Sequence, residues 1–163
     1  AYELLAGSLA AQPEQPELLY ESALLAEKLG RHEAMEASLR KLIRLKPEHA
    51  HAYNALGYSF AERNQRLEEA EQLVVKALQL SPDDPFIIDS MGWVLYRKGD
   101  NQGALTHLQR AFSIRPDPEI SAHLGEVLWA LGRRDEAKRI WQEAAKAHPG
   151  NEVLAEVIKR FAP

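Results

Sequence analysis

The sequence predicts an all-α protein of about ten helices, a solenoid in which antiparallel helix pairs stack on one another. Three observations predict it. Proline recurs at Pro13, Pro47, Pro82, Pro116 and Pro149, at intervals of 34, 35, 34 and 33 residues, and a period of that length marks stacked two-helix repeats. Small residues keep register with the prolines: Ala1, Ala70, Ala104 and Ala137 lie twelve places before one, and Ser8, Ala77, Ala111 and Ala144 lie five before. Gly30, Gly99 and Gly132 each lie seventeen before, where a glycine past a helix end takes the left-handed conformation that stops it.

Taken in order, residues 1–12 read as the second helix (helix B) of a pair whose first helix is missing. Full repeats follow at 16–49, 50–84, 85–117 and 118–150. Helix A of three of them opens on Pro16, Pro85 or Pro118, and proline suits a first turn because its missing N–H had no helical partner anyway. The stretch Asp89–Pro116 is the best copy. Gly92, Ala104 and Ala111 let its two helices approach, with Met91, Leu95, Leu108, Phe112 and Ile114 between them. The second repeat carries one extra residue near Asn64–Arg66, where a glycine is expected. The first departs most, with Ser22, Ala23, Met35 and Leu42 at four key places, so its packing should differ locally. Residues 151–161 form one more amphipathic helix. Its apolar stripe is Val153, Leu154, Val157, Ile158 and Phe161, and it serves as the terminal cap a solenoid needs.

This pattern resembles the tetratricopeptide repeat (TPR) family over essentially the whole chain, which is then a single TPR solenoid. In the third repeat Met91, Gly92, Leu95, Gly99, Ala104, Leu108, Ala111 and Pro116 fall on the family's signature places. In the fourth, Leu124, Gly125, Leu128, Gly132, Ala137, Trp141, Ala144 and Pro149 do so. The resemblance implies a right-handed superhelix whose A helices line a concave groove. An unrelated helical bundle would not produce four intervals within one residue of 34.

Composition excludes several function classes. A net charge of −4 lacks the basic face of a phosphate-backbone binder, so nucleic acid is not an expected partner. With no cysteine there is no disulfide or thiol chemistry. No apolar run approaches membrane-spanning length, so direct membrane insertion is not expected. The first residues, AYELLAG, lack a signal-peptide pattern and start inside a helix without Met, so the chain reads as a fragment or processed form. No phosphate loop, nucleophile elbow or zinc-protease helix is present, so the chain is expected to be no enzyme, with no cofactor and no metal site. His49 and His51 form an H-x-H pair without further ligands and read as loop histidines. His107 and His123 read as surface or groove residues, away from any carboxylate pair.

The informative chemistry lies on helix A. The resemblance places Tyr20, Leu24, Glu27 and Lys28 of the first repeat on the groove, with Asn54 and Tyr58 of the second. The third contributes Asp89, Trp93, Tyr96 and Arg97, and the fourth Glu126 and Trp129. Aromatic side chains are frequent anchors of binding surfaces. Asn54 is suited to a peptide backbone and Arg97 to an acidic group. In the best copy, Asp89, Trp93, Tyr96 and Arg97 are expected to be spare of packing duty. A carboxylate clamp of the chaperone-tail type is not expected, because only Lys28 and Arg97 are basic at its places.

Function follows as a protein–protein interaction scaffold or adaptor that holds a peptide or protein segment in a concave groove. The alternative is an architectural spacer or dimerisation segment of a larger protein. The run from Asp89 to Trp141 also resembles the C-terminal repeats of proteobacterial TPR lipoproteins, which include the outer-membrane adaptor of a periplasmic carboxyl-terminal processing protease. That resemblance implies a lipidated N-terminus upstream, a periplasmic location tethered to the outer membrane, and the protease and its substrates as partners. Leu4, Leu5 and Leu9 are expected to be uncovered, so that the first helix frays or pairs with a second copy.

Overall fold

The computed structural model describes residues 1–163 and contains ten α-helices: α1 (Tyr2–Ala11), α2 (Pro16–Lys28), α3 (His32–Leu45), α4 (Ala50–Glu62), α5 (Leu67–Leu80), α6 (Pro85–Arg97), α7 (Asn101–Ile114), α8 (Pro118–Ala130), α9 (Arg134–Ala147) and α10 (Glu152–Phe161). The all-α solenoid class is observed, with no strand. The helices fall into two compact units, residues 1–82 and 83–163.

Local chemistry starts and stops these helices where the sequence signals it. Pro85 and Pro118 occupy first turns preceded by Asp84 and Asp117, whose carboxylates accept the Phe86 and Glu119 backbone N–H groups at 2.9 Å. His49, at the N-cap of α4, accepts the Ala52 N–H on Nδ1 at 3.0 Å, which fixes that nitrogen as the unprotonated one. Gly99 turns the chain from α6 into α7 at φ 94°, a conformation costly for other residues. The corresponding loop between α4 and α5 lacks a glycine. There Asn64 (φ 54°) and Arg66 (φ 45°) take left-handed conformations instead, which is how the extra residue is absorbed.

In residues 1–82, α2 pairs with α3 and α4 with α5. Leu19, Leu39, Leu42, Leu56, Phe60 and Val74 are fully buried between them. Charged groups tie α3 to α5. Arg40 donates to Glu36 at 2.9 Å and to Glu69 at 3.0 Å, and Arg66 donates to Glu36 at 2.7 Å. α1 packs against α2 with no buried residue of its own. The expectation that three leucines lie uncovered is corrected. Leu4 is 78% exposed, but Leu5 and Leu9 are half-buried, and the Arg31 guanidinium lies 4.4 Å from the Tyr2 ring centre.

In residues 83–163, α6 pairs with α7, and α8 with α9 and α10. Every residue from Ile120 to Leu128 is buried, so α8 is the interior helix of this unit. Gly125 sits directly under the Trp141 indole, leaving no room for a Cβ. Trp141 Nε1 donates to the Ala122 carbonyl at 3.3 Å, and its ring stacks with Trp129 and Phe161. α10 covers this cluster with Leu154 and Val157. Two residues assigned to apolar stripes are not inside. Ile114 is the last residue of α7 and Val153 the second of α10, and both are exposed.

Candidate functional site

The candidate residues of the first unit lie on α2 and α4. Tyr20 and Tyr58 are half-buried, and Leu24 is 41% exposed. Around Leu24 and Tyr58 is a cavity of about 130 Å³. α2 contributes Ala23, Leu24 and Glu27 to its wall, α3 contributes Met35 and Leu39, and α4 contributes Ala55, Tyr58 and Ser59. Two alanines one helix apart leave the space, at the repeat whose key residues depart from the pattern. Its polar rim is tied together: Ser59 Oγ donates to Glu27 Oε2 at 2.8 Å, and Arg63 approaches Ser59 Oγ at 3.3 Å. His32 Nδ1 stands 3.5 Å from the same carboxylate, within ion-pair range when protonated but too long for a hydrogen bond.

One turn earlier on α2, a wider crevice of about 690 Å³ opens beside Tyr20. The His49 ring lies 5.2 Å from the Tyr20 ring. Glu17, Glu21 and Glu48 line the crevice against a single Lys46. Asn54 is half-buried, and its Oδ1 is shielded without a hydrogen-bond partner.

The second unit holds the remaining candidates, and there the structure corrects the expectation. Asp89 and Trp93 are each only 4% exposed. The His123 Nδ1–H donates to both Asp89 oxygens, at 2.9 and 3.0 Å, linking α6 to α8. The Trp93 ring stacks on the His123 imidazole with centres 4.1 Å apart, and its Nε1 is buried without a partner. These two residues of α6 therefore pack the unit, and are not spare of that duty. His123 is correspondingly no surface histidine. Its carboxylate partner sits 34 residues earlier, one place out of register with it, since the residue that matches Asp89 in the next repeat is Ala122.

Tyr96 and Arg97 remain half-buried at the edge of this cluster, with the Arg97 guanidinium 5.7 Å from the Trp93 ring centre. Burial pushes the Tyr96 phenol above its usual range, and the Glu126 charge adds to this, while Arg97 and Arg160 oppose it. Glu126 is 9% exposed and accepts from Arg160 of α10 at 3.1 Å. Trp129 is turned into the Trp141–Phe161 stack, with Arg134 at 4.9 Å from its ring centre. Of the nine candidates, Asp89, Trp93, Glu126 and Trp129 thus serve packing. Tyr20, Tyr58, Tyr96 and Arg97 keep side-chain surface, and Asn54 is partly covered. No group of three or more His, Cys, Asp or Glu residues is placed to hold a metal ion. No helix is long and apolar enough to cross a membrane.

Three tetratricopeptide repeat models match the chain, at residues 16–49, 35–85 and 95–159. A TPR repeat-containing protein of Pseudomonas aeruginosa is 46% identical over 126 residues, which is 77% of this chain and 21% of that protein. The chain therefore spans about a fifth of that relative's length. Among solved structures, a thermophilic TPR protein of Thermus thermophilus superposes with a TM-score of 0.85 at 24% identity, over 99% of this chain and 87% of that one. A TPR protein described as having an unusual peptide-binding site superposes at 0.67 with 22% identity, over 98% of this chain and 84% of that one. Helix pairs on a proline-set period, matched by repeat models along most of their length, show that the chain belongs to the tetratricopeptide repeat family.

Proposed function

We propose that this chain is the interaction part of an adaptor, a non-catalytic scaffold whose A helices hold segments of partner proteins. The observation that carries the reading is on α2 and α4. Leu24 stands 41% exposed beside two half-buried tyrosines, over a cavity that the protein's own side chains do not fill. Apolar and aromatic surface kept at a preformed site is what a binding segment requires. The tetratricopeptide fold supports it, since such repeats build extended recognition surfaces. In the whole protein we place this chain behind a lipidated N-terminus, in the bacterial periplasm at the outer membrane. There it holds a carboxyl-terminal processing protease together with that enzyme's substrates. The 46% identity to a much longer TPR repeat-containing protein of a proteobacterium supports a larger parent protein of this kind.

The experiment is capture of the purified protease by the immobilised chain. Tyr20→Ala and Tyr58→Ala remove the half-buried rings of α2 and α4. Loss of capture with an unchanged helical circular dichroism spectrum is expected. Capture that is undiminished in the double variant counts against the A-helix surface. A protease that the unmodified chain never retains counts against that partner. Radiolabelled palmitate incorporated into the full-length protein, followed by membrane fractionation, tests the location separately.

A further inference from the structure

The cavity between α2, α3 and α4 fixes more than the existence of a binding surface. It is small, and its wall is almost entirely apolar. At about 130 Å³ it is close to the roughly 150 Å³ of a dry cavity that holds one benzene-sized guest. That is room for a single leucine, isoleucine or methionine side chain and too little for an indole. Ala23 and Ala55 leave the space, and Met35, with three rotatable bonds, lets the wall adjust to a guest. The surroundings supply the second half of the argument. The mouth carries Glu27, and the crevice one turn away on α2 carries Glu17, Glu21 and Glu48. Lys46 is the one lysine or arginine lining either opening. Arg63 reaches Glu27 only through Ser59, and Lys28 follows Glu27 on α2 without lining the cavity.

We propose that this site takes one aliphatic side chain from a partner segment whose flanking residues are lysine or arginine. The aliphatic group enters the cavity between Leu24, Met35, Leu39 and Tyr58. The flanking cations lie along the carboxylates of α2 and the α3–α4 turn. Apolar burial gives the affinity, and charge complementarity gives the preference for a basic neighbourhood. This rests on the adaptor reading and names the chemistry of the segment it would hold.

The probe is a fluorescein-labelled peptide, Gly-Ser-Lys-Lys-Ser-Leu-Ser-Lys-Lys-Ser-Gly, titrated with the whole chain and followed by anisotropy. Its leucine is compared with alanine and with tryptophan, and its lysines with glutamates. The leucine peptide is expected to bind about tenfold to a hundredfold more tightly than the alanine one, the discrimination an apolar pocket exerts over a few carbons. The tryptophan and glutamate peptides are expected to fall to the alanine level or below. Ala55→Leu fills the cavity from within and is expected to erase the leucine preference, with the melting temperature unchanged or raised. Equal binding of leucine and alanine peptides, no binding up to millimolar chain, or a leucine preference that survives Ala55→Leu each overturns the cavity assignment. Glutamate peptides that bind as well as lysine ones overturn the charge assignment. The peptide comparisons on the unmodified chain stand even if the variant does not fold. Protease captured equally by the Ala55→Leu and unmodified chains would overturn this inference and leave the adaptor reading in place.

Discussion

Gly125 has no side chain because the Trp141 indole already occupies the position of its Cβ. Gly125→Ala forces that ring off Ala122 and out of its stack with Phe161, so a loss of about 1–3 kcal/mol is expected in urea unfolding, the usual cost of overpacking. This constraint was legible in advance, since a period of about 34 residues puts Gly92 and Gly125 on the same place of successive repeats. The partnership of Asp89 and His123 was not read. Their chemistry depends on the lateral offset between α6 and α8, which a linear pattern does not fix. Asp89→Ala takes the carboxylate from a buried imidazole and is expected to cost about 1–3 kcal/mol, the penalty for a buried polar group losing its partner. Equilibrium unfolding beside His123→Phe, which keeps a ring against Trp93, separates the hydrogen bond from the stacking. The 130 Å³ cavity was half legible. Ala23 and Met35 announced unusual packing in the first repeat, but an unfilled volume depends on three helices at once.

At the scale of elements, Glu36 joins α3 to α5 through Arg66 and Arg40. Burial alone would raise its carboxyl, but hydrogen bonds and charge from those two arginines outweigh burial and hold it below its ordinary 4.5. A lowered carboxylate contributes stability that is present above the ordinary value and lost as pH falls through the folded one. Glu36→Gln should therefore cost about 0.5 kcal/mol at neutral pH, a figure already discounted for solvent screening. The difference from the unmodified chain should vanish on the acid side of the folded value, which thermal melts across that range would show. The loop between α4 and α5 gives an opposite expectation. Asn64→Gly relieves a left-handed non-glycine residue and should stabilise by up to about 1 kcal/mol in the same melts. Helix starts were readable because Pro85 with Asp84, and Pro118 with Asp117, are local signals. Ile114 and Val153 were misassigned because helical periodicity carries on through a terminus, whereas burial there stops with the neighbouring helix.

Across the whole molecule, stability should be graded rather than uniform. α1 has no buried residue, whereas α8 is buried from Ile120 to Leu128. Amide exchange is expected to be fastest in α1 and slowest in α8, a ranking that exchange mass spectrometry reads directly. Equal protection of the two helices would contradict it.

Two polar links of the second unit, Asp89 with His123 and Glu126 with Arg160, each span 34 residues. Tandem arrays gain and lose members by unequal recombination, in steps of one repeat, and purely apolar joints tolerate such shuffling because one joint resembles the next. Here loss of residues 118–150 would strand Asp89 in the interior without its imidazole and Arg160 without its carboxylate. The repeats of this unit are therefore not interchangeable, because a shuffled repeat would bring no imidazole to the buried Asp89 carboxylate.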